Sequence, residues 1–74
     1  MPELPVVSGR EARRAFERRG RIFRRQSGSH MVLTKPGSLA SLSIPDHREL
    51  APGTPRKLLR LAGVSVEQFR IAVG

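Results

Sequence analysis

The sequence predicts an α+β fold: a helix, a three-stranded antiparallel meander and a helical C-terminal part, with the helices on one face of the sheet. Three observations predict it. A capping box opens one helical stretch, three short runs of alternating apolar residues are separated by turn dipeptides, and two helix starts follow them.

In Ser8-Gly9-Arg10-Glu11 the serine hydroxyl and the Glu11 carboxylate satisfy each other's orphan N–H groups, which starts a helix over about 9–19. Its apolar side is narrow, only Ala12, Ala15 and Phe16, and arginines cover the rest until Gly20 stops it. Strands are expected over about 21–26, 30–35 and 40–45, joined at Ser27-Gly28 and at Lys35-Pro36-Gly37-Ser38. A turn centred between Gly37 and Ser38 sets Met31 opposite Ile44, Leu33 opposite Leu42 and His30 opposite Pro45. Those four apolar residues form the core face. By alternation His30, Val32, Thr34, Ser41 and Ser43 share the other face. The first strand is harder to orient, because Ile22 and Phe23 are adjacent and only one can point inward. Thr54 as N-cap with Pro55 at the first helical position opens a helix to about Ala62, closed by Gly63, with an apolar stripe of Leu58, Leu59, Leu61 and Ala62. Ser65-Val66-Glu67-Gln68 is a second capping box, for a short last helix carrying Val66, Phe69, Ile71 and Val73.

The 74 residues suit a single domain over 1–74, small enough that roughly 60% of the unfolded chain's surface is all it can bury. Fourteen Lys and Arg against six Asp and Glu give a net charge of +8, and all of these cations but Lys35 and Lys57 are Arg. Arg forks suit phosphate, so nucleic acid or an acidic protein is the expected partner. The chain has no Cys and only two His, so neither a thiolate metal site nor any other metal or cofactor is expected. The apolar runs are too short to cross a membrane and no signal peptide is evident, which predicts a cytoplasmic protein without membrane partners.

Gln26-Ser27-Gly28-Ser29-His30 places a histidine directly after a glycine turn in this basic chain. Histidine exchanges a proton near neutral pH. The turn brings Arg24, Arg25 and Gln26 alongside His30, and the register sets His47 near the same sheet edge. An imidazole among guanidinium groups suits RNA cleavage, which needs a base for the 2′-hydroxyl, an acid for the leaving oxygen and cations for the phosphorane. His30 is the expected base, and Arg24, Arg25 and Lys35 are expected phosphate contacts. Two other readings fit the residues alone. One is a non-catalytic RNA-binding module; the other is a DNA-binding helix-turn-helix made of helices 54–62 and 66–72.

Five blocks in order, Val7-Ser8-Gly9-Arg10-Glu11, Arg25-Gln26-Ser27-Gly28-Ser29-His30, Ile44-Pro45-Asp46-His47, Pro52-Gly53-Thr54 and Leu61-Ala62-Gly63-Val64-Ser65, resemble the HicA toxin family, the YcfA-type mRNA interferases. The resemblance implies a fold like a double-stranded-RNA-binding domain, α-β-β-β-α, with the short last helix as an addition. It implies a toxin of a type II toxin–antitoxin system, an endoribonuclease that cleaves mRNA without a metal and is inhibited by an acidic antitoxin of the HicB family. Residue by residue, the catalytic histidine falls on His30 and the preceding pair on Gly28 and Ser29, with His47 in support. The chain departs from the family pattern at Gly20-Arg21-Ile22-Phe23, where Gly-Phe is usual, and at Pro55, where an aliphatic residue is usual.

Overall fold

The computed structural model describes residues 3–74, so Met1 and Pro2 of the expected domain lie outside the described residues. The elements run α1 (Gly9–Arg18), β1 (Ile22–Ser27), β2 (His30–Thr34), β3 (Leu42–Pro45), α2 (Thr54–Ala62) and α3 (Val66–Val73). The strands form an open antiparallel sheet in the order β1-β2-β3. This is the expected α+β order, helix, meander and helices. No helix among the described residues is long and apolar enough to cross a membrane.

Both capping boxes form. The Glu11 and Gln68 N–H groups donate to the Ser8 and Ser65 hydroxyls, each at 3.0 Å, and the Glu11 and Gln68 side chains accept from the serine N–H groups. At the other end of α1, Gly20 at φ 100 allows its own N–H to reach Glu17 O and the Arg21 N–H to reach Phe16 O, both at 3.0 Å. This two-bond closure makes Arg21 the last residue of the helix exit, so β1 begins at Ile22 and not at 21. Arg21 is itself buried and donates to the carbonyl of Ala40 at 2.7 Å, tying the helix exit to the chain before β3.

One expected cap is corrected. Gly53, at φ 91, is the N-cap of α2, and Thr54 makes no side-chain cap but is the first helical residue. The first i→i−4 bond runs from the Lys57 N–H to Gly53 O at 3.1 Å, which moves the cap back by one residue. Pro55 stays within the first turn, where its missing N–H costs nothing.

The β2–β3 register is as expected, with Met31 opposite Ile44 and Leu33 opposite Leu42, all four buried. β1 contains a bulge between Phe23 and Arg25 that leaves Arg24 unpaired. The bulge resolves the Ile22-Phe23 ambiguity. Phe23 stands opposite Leu33 on the core face while Ile22, opposite Thr34, is exposed. Arg13 of α1 lies 3.7 Å over the Phe23 ring, a cation–π contact that covers this edge of the core.

The short last helix is the main packing partner of α1. Phe16 and Phe69, both fully buried, stack at 5.4 Å and 39°, and Arg18 donates to the Ala72 carbonyl. Two expected core residues are corrected: Leu61 and Ile71 are exposed. At 100° per residue, Leu58, Leu59 and Ala62 share one side of α2 and Leu61 turns away, while Ile71 lies opposite the buried Phe69–Ala72 side of α3. The outward side of α3 carries Glu67, Gln68, Arg70 and Ile71, with Arg70 as its one cation.

Candidate active site

The β1–β2 hairpin has two residues at its tip, Gly28 and Ser29, between the paired Ser27 and His30. Gly28 adopts φ 58 and Ser29 has no positive φ, the pattern of a type II′ turn, whose twist matches antiparallel strands. The turn therefore delivers His30 as the first residue of β2. Alternation puts His30 on the face opposite the buried Met31 and Leu33, where it is exposed.

The Asp46 N–H donates to the Ser29 carbonyl at 2.7 Å, which makes His30 and Pro45 a non-hydrogen-bonded pair. In such pairs the Cα atoms approach to about 4.5 Å and the side chains are closest. Proline suits this edge position, because its absent N–H would have pointed away from β2. Ser27, His30 and Pro45 thus form one row across the outer face, with Arg25, Val32 and Ser43 forming the next.

Of the residues expected around His30, the sheet brings some together and separates others. Gly28 and Ser29 form the turn, and Arg25 is His30's diagonal cross-strand neighbour, about 7–8 Å away. Arg24 occupies the bulge and its Nε donates to the Thr34 hydroxyl at 2.8 Å, further along the outer face. Gln26 stands opposite the buried Met31 and therefore on the other face. Its amide donates to the Gly28 carbonyl at 3.2 Å and to Asp46 Oδ2 at 3.4 Å, so it braces the turn. Lys35 lies just beyond the far end of β2, about 17 Å from His30 along the strand. Its Cε lies 3.5 Å from where a Cβ on Gly20 would sit. His47 follows Pro45 by two residues and is exposed, while its carbonyl accepts the Gly9 N–H at 2.8 Å. Among the described residues no three His, Cys, Asp or Glu side chains are grouped to hold a metal ion.

Two supporting residues escaped the reading of the sequence. Asp46 accepts from Arg10 Nε at 3.2 Å and from Gln26 at 3.4 Å while its N–H holds Ser29, joining α1, β1 and the turn. Its signal was its place directly before His47 in the block Ile44-Pro45-Asp46-His47. Gly9 is the other. A Cβ there would overlap the Pro45 carbonyl oxygen and stand 3.2 Å from Asp46 Cα, so the start of α1 abuts the strand end that faces His30. Its signal was a glycine in the first turn of a helix, where glycine is normally unfavourable.

The Arg10 guanidinium, with the Gln26 amide adding to it, holds the Asp46 carboxyl below its ordinary pKa. A lowered folded-state pKa contributes stability above the unfolded value, near pH 4, and that stability is lost as pH falls through the folded value. Wild type should therefore have a higher urea midpoint than Asp46→Asn at pH 7, and the two midpoints should converge below about pH 4. A gap of the same size at pH 3 would mean that the carboxylate charge is not what joins these elements.

A family model described as the HicA toxin of bacterial toxin–antitoxin matches residues 9–64, which span α1, the whole sheet and α2. No curated protein matches the chain.

Proposed function

The chain belongs to the HicA toxin family of bacterial toxin–antitoxin systems, and on that premise we propose that it is an endoribonuclease that cleaves mRNA with His30 as its acid–base group. Membership makes it a toxin and implies an antitoxin partner. The observation that carries the finer reading is the exposed His30, set by a II′ turn on a polar sheet face with Arg25 diagonal to it.

The reaction requires no group beyond these side chains. Neutral His30 accepts the proton of a ribose 2′-hydroxyl as its oxygen bonds to the adjacent phosphorus. Arg25, with Arg24 further along the face, offsets the charge of the phosphorane. The bond to the 5′-oxygen then breaks, and the imidazolium returns its proton to that oxygen. The products are a 2′,3′-cyclic phosphate and a 5′-hydroxyl. His47, held at the same sheet end by the Gly9–His47 backbone bond, is a supporting residue.

The toxin acts in the cytoplasm, where message is available. Its cognate antitoxin is an acidic HicB-family protein that neutralises it by covering the His30 face, for which a chain of net charge +8 is complementary.

The test is cleavage of a short RNA in EDTA, with the products identified by mass spectrometry. Cyclic-phosphate and 5′-hydroxyl ends are expected, and a 2′-deoxy substitution at the cleaved nucleotide should stop the reaction because it removes the nucleophile. Cleavage of the deoxy-substituted strand, or loss of activity in EDTA, would contradict the mechanism.

A further inference from the structure

We infer that the groove between the outer edge of β3 and α2 is a nucleotide subsite, which holds the RNA residue next to the cleaved one and places its phosphate against Lys57. The inference rests on the ribonuclease reading of His30.

The groove has a volume of about 330 Å³, at the small end for ligand sites, which suits one nucleotide rather than a strand. One wall is the outward row Ser41, Ser43 and Pro45; the other is Thr54, Lys57 and Leu61 of α2. Pro45 is the cross-strand partner of His30, so the groove begins where the proposed reaction centre ends. Ser43 lies one outward step further on, about 6.6 Å along the strand.

The lining chemistry favours a nucleotide. Three hydroxyls, on Ser41, Ser43 and Thr54, each donate and accept, as base edges and a ribose 2′-hydroxyl require. Pro45 and the exposed Leu61 give apolar surface for a base, and no carboxylate lines the groove to repel phosphate. Lys57 is exposed, and the ion pairs among the described residues engage Arg10 and Arg13 instead. Without an aromatic ring in the lining, selectivity falls to the hydroxyls rather than to stacking. On this account a strand crosses the outer face from Arg25, over His30, to Lys57, and Lys57 takes the place expected for Lys35. A nucleotide is favoured over a protein segment as the occupant because the groove is small and its lining joins hydroxyls to a single cation.

Steady-state cleavage of an RNA oligonucleotide tests this in the full chain. Lys57→Ala should raise KM about fivefold with kcat within about twofold, and should reduce the magnitude of the salt slope of binding by about 0.7. Lys57→Arg should restore KM, and Ser43→Ala should change the preferred base at one position beside the cut. Arg60→Ala, an exposed α2 residue outside the groove, serves as the control. If wild type cleaves RNA while Lys57→Ala and Ser43→Ala keep its KM and cut positions, the subsite is refuted and the ribonuclease reading stands. Unchanged cleavage with lost neutralisation by the antitoxin would assign the groove to the protein partner and overturn the inference. A wild-type chain that cleaves no RNA overturns both.

Discussion

His30→Ala lowers the single-turnover rate of RNA cleavage by about 10²–10⁴, the usual contribution of one general acid–base group, while the fold survives. The imidazole is exposed and donates or accepts no hydrogen bond within the protein among the described residues, so its removal leaves no cavity and no unpaired buried group. The II′ turn is set by Gly28 and the strand pairing by the backbone, neither of which needs the imidazole. Equal circular dichroism and thermal midpoints for the two proteins, with a rate lost only in the variant, are the expected results. His30→Gln should be as slow as His30→Ala, because an amide keeps the shape but exchanges no proton. Were the Gln variant to retain most of the rate, His30 would be a contact residue and the chain a binding module.

Gly9→Ala destabilises the chain by about 2–3 kcal/mol, as overpacking against well-ordered atoms does. A methyl at Gly9 would meet backbone, the Pro45 carbonyl oxygen and Asp46 Cα, rather than a side chain that can swing aside. Either α1 tilts away and breaks the Gly9–His47 bond, or the Pro45–Asp46 segment moves and loosens the Ser29–Asp46 bond beside His30. For a chain this small the melting temperature should fall by about 10 °C or more. Gly63→Ala provides the comparison. Gly63 has φ 68 and open space around its missing Cβ, so only backbone strain of about 1 kcal/mol is added there. If the two variants melt together, α1 does not press on the strand end as described.

Much of this architecture is legible from local chemistry. Ser8 with Glu11 and Ser65 with Gln68 mark helix starts because both partners of each box are in the sequence, and the Lys35–Ser38 turn sets the β2–β3 register because its length leaves one alignment that buries Met31, Leu33, Leu42 and Ile44. That register alone places His30 beside Pro45. The first strand is less legible for a specific reason. The extra residue at Arg24 shifts which side chains face inward, so strict alternation from the hairpin misassigns Ile22 and Phe23. Gln26 and Lys35 lie within five positions of His30 along the chain, but alternation sends Gln26 to the other face and strand length carries Lys35 to the other end. The groove and its Lys57 bring α2 against β3 across a long connection, a tertiary pairing that no local pattern encodes. Gly9 and Asp46 are likewise long-range residues, since the Arg10–Asp46 contact spans 36 positions.

The most direct measurement of the central claim is growth and message integrity in cells after induction of the wild-type chain or of His30→Ala, with both proteins shown to accumulate in folded form. Arrested growth and shortened messages with wild type alone are predicted. Equal arrest by both proteins, or arrest by wild type with messages intact, would contradict a ribonuclease toxin centred on His30.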